Sequence, residues 1–212
     1  MLNDILIINK AHEKAARTIF EKVMAERNGK YIITITGEVG VGKCEVSHVL
    51  GKLLKSEGIL AKIIHMDDYY KIPPAMRTNW RKKHGIRRVG YEEYNWEVIN
   101  RNIDDFRHSR ESELPSVDLM NDQVDKLITN FDQIDLLIIN GLYSIKIESA
   151  NLKVFIDLTY KDTFDEQKAT GKESLDEFRL KVLQREHNVV QTLKAEADFF
   201  VDFDENSELF HY

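Results

Sequence analysis

A chain of 212 residues, 42% hydrophobic and 31% charged, carries enough apolar material for one large globular domain and makes two independent domains unexpected. Its net charge of −6 argues against bulk binding to nucleic acid or an anionic membrane, so neither partner is expected. A single cysteine excludes an internal disulfide framework and a zinc site built from cysteines. Met1-Leu2-Asn3-Asp4 has no signal-peptide pattern and no apolar run nears the ~20 residues of a membrane span, so the cytoplasm is the expected location.

The chain opens on a helical extension over residues 1–29. Across residues 12–27, Ala15, Ala16, Ile19, Phe20, Val23 and Met24 fall on one stripe, which predicts an amphipathic helix closed by Asn28-Gly29. The apolar run Tyr31-Ile32-Ile33-Thr34-Ile35-Thr36 predicts a core strand. Directly after it stands Gly37-Glu38-Val39-Gly40-Val41-Gly42-Lys43-Cys44, the pattern G-x-x-x-x-G-K completed by Cys. Its glycines let successive backbone N–H groups turn around a polyanion, the following helix adds its positive dipole end, and Lys43 can reach terminal phosphates. An ordinary glycine-rich turn also fits the bare pattern, but strand, loop and helix follow in the order a phosphate cradle requires. The nucleotide-side candidates are therefore Gly37, Glu38, Val39, Gly40, Val41, Gly42, Lys43, Cys44 and Glu45. The last motif position normally supplies a Ser or Thr hydroxyl to Mg²⁺; the Cys44 thiol is a poor ligand for a hard cation.

The helix after the loop spans residues 43–57, buries Val46, Val49, Leu50, Leu53 and Leu54, and ends at Gly58. A strand over residues 59–66 completes a βαβ unit, which implies parallel pairing with a right-handed crossover. Asp67-Asp68-Tyr69-Tyr70-Lys71 then stands at the carboxyl edge of a parallel strand, where open α/β sheets bind ligands. Pro73-Pro74 predicts an end to regular structure, leaving residues 72–90 as a loop with Arg77, Arg81, Lys82, Lys83, Arg87 and Arg88. Either the loop is simply solvated or it meets phosphate or a polar substrate. Helical spacing resumes over residues 91–107, where Tyr94 and Trp96 either stack on a ligand or belong to the core. Residues 108–113 read as a polar connection and residues 121–131 as a short helix. Leu136-Leu137-Ile138-Ile139-Asn140 is a continuous apolar run of the kind found in buried central strands. It ends in Asn140, where nucleotide-binding proteins of this type usually place Asp or Glu. A strand over residues 153–158, a polar segment over 160–173, a helix over 174–195, a strand over 199–201 and a polar tail complete the chain.

Together these pieces resemble the uridine kinase and phosphoribulokinase-like group of P-loop kinases from about Tyr31 to Val201. The carriers are Gly37 to Lys43, Asp67-Asp68-Tyr69-Tyr70-Lys71, Leu137-Ile138-Ile139-Asn140-Gly141-Leu142-Tyr143, Val154-Phe155-Ile156-Asp157-Leu158 and Ala197-Asp198. The resemblance implies a single α/β domain: a P-loop NTPase three-layer α/β/α fold with a mostly parallel central sheet and a small lid over 160–173. It implies an ATP-dependent phosphotransferase acting on a hydroxyl of a nucleoside or similar small polar molecule, with ATP and Mg²⁺ bound. Lys43 would meet the phosphates and Asp67 would receive the hydroxyl proton; capping a turn before Pro73 is the structural alternative for Asp67 and Asp68. Tyr70, Arg77, Arg81, Arg88, Tyr94 and Trp96 are the substrate-side candidates, and a homo-oligomer stays open.

Departures from the family pattern cluster on one function. Metal would depend on the Cys44 position, Asp67 and Asn140, the last through a water. The family's lid arginines correspond to Ala169-Thr170-Gly171-Lys172-Glu173, so Lys168, Lys172 or Arg179 would have to supply lid charge. Cys44, Asn140 and Thr170 all fall where the family handles metal or transition-state charge. The competing reading is accordingly a degenerate kinase that keeps nucleotide binding and has lost efficient transfer. Cys44, beside Lys43 at a helix start, is also a candidate redox thiol, against the simpler reading of a packed, inert side chain.

Overall fold

The computed structural model describes residues 6–118, 120–121, 123–170 and 175–203. The chain runs α1 (Lys10–Glu26), β1 (Tyr31–Thr36), α2 (Lys43–Ser56), β2 (Ala61–His65), α3 (Pro74–His84), α4 (Trp96–Arg107), β3 (Glu111–Asp118) and β4 (Gln123–Asn130). It continues through β5 (Leu136–Asn140), β6 (Leu152–Ile156), α5 (Phe164–Thr170), α6 (Glu177–Thr192) and β7 (Phe199–Val201).

The main sheet has the order β2-β5-β1-β6-β7, and every neighbouring pair is parallel. Alternation along β1 sends Ile32 to one face and Ile33 and Ile35 to the other. On the first face α4 supplies Ile99, Ile103 and Phe106, and α6 supplies Val189 and Val190. On the second, α1 supplies Ala16, Ile19 and Val23, and α2 supplies Val46, Leu50 and Leu54. The result is the three-layer α/β/α fold implied by the resemblance. The N-terminal extension is a working part of one layer, because α1 packs along α2 and closes the sheet face behind it.

Parallel pairing gathers the carboxyl ends of the central strands at one edge. Asn140, at the end of β5, is in register with Ile35 of β1 on one side and His65 of β2 on the other. The loop leaving β1, the turn leaving β2 and the end of β5 therefore meet there.

The structure differs from the sequence expectations in the segments flanking this edge. Residues 121–131 are not a helix; β4 pairs antiparallel with β3, and β3 takes in the second half of the expected polar connection. Val124, Leu127 and Ile128 have helical spacing, but they lie exposed on a strand with almost no buried residue, so no core selected their periodicity. Pro73-Pro74 starts a helix where a loop was expected: Pro73 is the N-cap of α3 and Pro74 its first residue, a position with no intrahelical N–H bond to lose. Helix α4 begins only at Trp96, where the Asn95 side chain caps the Val98 N–H, leaving Tyr94 in extended backbone. The 160–173 segment contains α5, and Gly171, Lys172 and Glu173 lie outside the described residues.

Helix α3 is anchored by a buried ion pair. Arg81 donates from Nε to Glu93 Oε1 at 2.7 Å and from Nη2 to Glu93 Oε2 at 2.9 Å, with Glu186 Oε1 of α6 at 3.3 Å. Arg81, Glu93 and Glu186 are all buried. Removing one side of such a pair leaves charge without compensation in a dry site. Arg81→Met is therefore expected to lower folding stability by about 3–5 kcal/mol in urea titrations. Arg88→Met, which loses only an exposed pair with Glu92, should leave the midpoint unchanged.

Candidate active site

The loop between β1 and α2 is shaped by three glycines that cannot readily be replaced. A Cβ on Gly37 would lie 2.9 Å from Val41 Cγ2 and 3.2 Å from Ile156 Cβ. Gly40 and Gly42 have φ of +79° and +82°, and Gly42 is the N-cap of α2. The first turn of α2 thus starts directly from the loop, with its N–H groups and dipole toward the sheet edge.

Two of the expected nucleotide-side residues point into the protein instead. Val41 is buried in the core. Glu38 is 1% exposed, and its carboxylate accepts from the Tyr160 N–H at 2.9 Å, His187 Nδ1 at 2.8 Å and Gln191 Nε2 at 2.6 Å. Since a carboxylate only accepts here, His187 carries its proton on Nδ1. The loop is held from outside as well. Gln167 of α5 donates from Nε2 to Val39 O at 3.2 Å, and a Cβ on Gly40 would meet the Gln167 side chain at 2.5 Å. His12 of α1 lies against Gly42 in the same manner. Lys43 turns back along the loop, donating from Nζ to Glu38 O at 2.5 Å, and burial pulls its ammonium below the ordinary lysine pKa.

Of the paired aspartates, the structure separates two roles. Asp68 is buried, and its Oδ1 accepts from the Val117 N–H of β3 at 2.9 Å; burial pushes its carboxyl above the usual range. It is an anchor for the β3–β4 hairpin. Asp67 is half-exposed, on the turn immediately after β2, and its charge acts on Lys43, Tyr70 and Tyr94.

The substrate-side candidates divide in the same way. Tyr70 and Tyr94 form an antiparallel bridge with rings 4.2 Å apart, and the Arg77 guanidinium lies 3.5 Å from the centre of the Tyr70 ring. Tyr143, from the turn after β5, packs edge-on against Tyr94 at 5.6 Å. Among the described residues, Arg77 Nε and the Tyr94 and Tyr143 hydroxyls are buried with no hydrogen-bond partner, an arrangement that a polar ligand would satisfy. Arg81 does not belong with them, because its guanidinium is held by Glu93 and Glu186. Arg88 is exposed and pairs with Glu92 at 2.9 Å, while Trp96 donates its indole N–H to Tyr91 O at 2.8 Å. Of the expected lid cations, Lys168 is exposed on α5, Arg179 pairs with Glu186 at 3.3 Å, and Lys172 is not among the described residues. Thr170 closes α5. Among the described side chains of α5, Gln167, which is uncharged, hydrogen-bonds to the phosphate loop.

The expected metal position has a different chemistry. Cys44 Sγ lies 3.7 Å from His65 Nδ1 and 3.9 Å from Asn140 Oδ1, and the latter two atoms are 3.0 Å apart. Ser47 fixes their polarity. Its hydroxyl donates to Lys43 O at 2.7 Å, so it accepts from Asn140 Nδ2 at 2.8 Å. Asn140 Oδ1 therefore faces His65, which donates from Nδ1, and burial lowers the imidazole's pKa. These donors do not fit a hard cation such as Mg²⁺, which takes oxygen ligands in near-octahedral arrangement and keeps its waters. Cys44 offers sulfur, and the Asn140 amide is already turned toward an imidazole. Among the described residues no three His, Cys, Asp or Glu side chains form a metal-binding group. His65 is the residue that sequence reasoning missed; its one signal was a polar residue closing an apolar strand.

Such a fold, with a glycine-built loop between the first strand and its helix and a carboxylate after the neighbouring strand, is that of a P-loop kinase. The model of the Phosphoribulokinase / Uridine kinase family matches residues 32–168, more than half of the chain, and the chain belongs to that family. Uridine kinase from Macrococcus caseolyticus (strain JCSC5402) is 25% identical over 188 residues, covering 80% of this chain and 86% of that protein. Among solved structures, a Bacillus stearothermophilus protein described as a possible uridine kinase superposes with a TM-score of 0.63 at 18% identity, over 89% of this chain and 98% of that one. Phosphoribulokinase from Rhodobacter spheroides gives 0.62 at 16% identity, over 82% and 70%. Members of the family are kinases, and among the described residues no helix is long and apolar enough to cross a membrane.

Glu38→Ala would strand the Tyr160 N–H, His187 and Gln191 donors around the loop. The expected loss is about 2–4 kcal/mol in urea unfolding, while Glu38→Gln, which can keep part of the network, should lose less.

Proposed function

We propose that the chain transfers the γ-phosphoryl group of ATP to a hydroxyl of a nucleoside or similar small polar molecule. The observation that carries this reading is the separation of the two aspartates: Asp68 is engaged by Val117, while Asp67 stands half-exposed at the sheet edge, within electrostatic reach of Lys43. In this mechanism the backbone N–H groups of residues 40–44 and the Lys43 ammonium hold the phosphates. The acceptor hydroxyl gives its proton to the Asp67 carboxylate as its oxygen bonds to the γ-phosphorus, and the bond to the ADP oxygen breaks on the opposite side. Tyr70, Arg77, Tyr94 and Tyr143 form the acceptor wall, and the unsatisfied Arg77 Nε and tyrosine hydroxyls orient the substrate's oxygens.

A second reading, nucleotide binding with little transfer, is favoured by one feature. Gln167, a neutral side chain, occupies the contact from α5 to the loop where charge would stabilise the transferring group. Incubation with ATP and a panel of nucleosides and other small hydroxyl compounds, scored for ADP and phosphorylated product, separates the readings. Under the first, Asp67→Asn reduces turnover by about 10²–10⁴-fold and leaves ADP affinity within a few-fold. ADP binding with no turnover on any acceptor would favour the second, and no binding at millimolar ADP would remove both.

Lys43 adds a pH signature. Its pKa is lowered by burial in the free protein, and a bound polyphosphate must raise it, so binding takes up a proton when the pH lies between the two values. Affinity for ADP is expected to fall as pH rises through that window. Calorimetric titrations at a series of alkaline pH values in two buffers of different ionisation enthalpy should show net proton uptake within that window, absent in Lys43→Met.

A further inference from the structure

The disagreement between the Cys44 site and Mg²⁺ has a constructive reading. We propose that the ends of α2, β2 and β5 form a binding site for a thiophilic divalent cation, of the Zn²⁺, Co²⁺ or Cd²⁺ kind, held together with a nucleotide phosphate. The inference rests on reading Gly37 to Lys43 as a phosphate cradle. Its protein ligands are Cys44 Sγ, His65 Nδ1 and Asn140 Oδ1, and its fourth is a phosphate oxygen.

Geometry is the first support. In a tetrahedral zinc site with Zn–S of about 2.3 Å and Zn–N and Zn–O of about 2.0–2.2 Å, ligand atoms lie about 3.4–3.6 Å from one another. The three donors here lie 3.7, 3.9 and 3.0 Å apart, each within about half an ångström of that spacing. They come from three different elements, brought together by the parallel register of His65 with Asn140 and by the start of α2. Chemistry is the second. Sulfur and imidazole prefer borderline and soft ions to Mg²⁺, and three protein donors with one position left for a phosphate oxygen match the open form of zinc coordination. The Ser47–Asn140 hydrogen bond is a supporting contact: it fixes which end of the amide faces the site. On binding, the thiol proton leaves to solvent and the neutral imidazole changes tautomer, its proton moving from Nδ1, where it is donated to Asn140, to Nε2, so that the Nδ1 lone pair faces the ion. Redox change is not involved. This also separates the site from a structural zinc cluster, which several cysteines would be needed to build.

The test uses the full chain with ADP and compares ions. With Co²⁺ and ADP together, a thiolate-to-cobalt charge-transfer band in the near ultraviolet and strong four-coordinate visible bands are expected; both should disappear in Cys44→Ser. By calorimetry, ADP should bind at least about tenfold tighter with Cd²⁺ than with Mg²⁺, and Cys44→Ser should reverse that order. His65→Ala should weaken the Cd²⁺ advantage without affecting Mg²⁺. If the variants do not fold, the native protein still answers: Cd²⁺ with ADP should slow iodoacetamide labelling of Cys44, and Mg²⁺ with ADP at equal nucleotide occupancy should not. Equal or weaker ADP affinity with Cd²⁺ than with Mg²⁺, or Co²⁺ spectra without a thiolate band, would overturn the inference and leave the kinase reading intact. Failure to bind ADP with any ion would overturn the phosphate-cradle reading along with it.

Discussion

The site depends on one constraint, the parallel register that places the carboxyl ends of β1, β5 and β2 side by side. Because β5 lies between its neighbours, Asn140 faces Ile35 on one flank and His65 on the other. The phosphate loop must leave β1 at that level and Asp67 must follow β2 just beyond it. No side-chain contact creates this convergence; it follows from βαβ crossovers, which return each strand in the same direction.

Around that edge the protein uses charge in two distinct ways. Buried charges are paired and structural: Glu38 ties the loop to α6 and to the segment before α5, and Arg81 with Glu93 and Glu186 ties α3 to α6. The charges left nearer the opening are Lys43 and Asp67, one suited to phosphates and the other to a hydroxyl. Three arginines of the basic cluster thus separate into the structural Arg81, the exposed ion pair at Arg88, and Arg77, which stacks on Tyr70 with an unsatisfied Nε. Under the proposed function, recognition of the acceptor falls to Arg77 and the tyrosines.

The same edge carries the chain's departures from its family, and they are connected. A thiol at Cys44 and an amide at Asn140 look like separate losses until His65 is placed between them. The three then form one set of donors with its own hydrogen-bond polarity, dictated by Ser47. On the opposite side Gln167 makes a neutral contact to the loop.

Features that depend on neighbouring residues are legible in the chain alone. G-x-x-x-x-G-K after an apolar strand specified the loop, since only glycine accepts its positive φ and close backbone contacts. The continuous apolar run into Asn140 specified a buried central strand. Tertiary structure alone decided what depends on residues distant in the chain. It turned Glu38 inward to partners on α6 and distinguished Asp68, bound to Val117, from Asp67. It made β4 a strand although Val124, Leu127 and Ile128 are spaced as in a helix, because that strand faces solvent and pairing with β3 replaces burial as its support. It also brought His65 to Cys44, through a strand register that local periodicity does not encode.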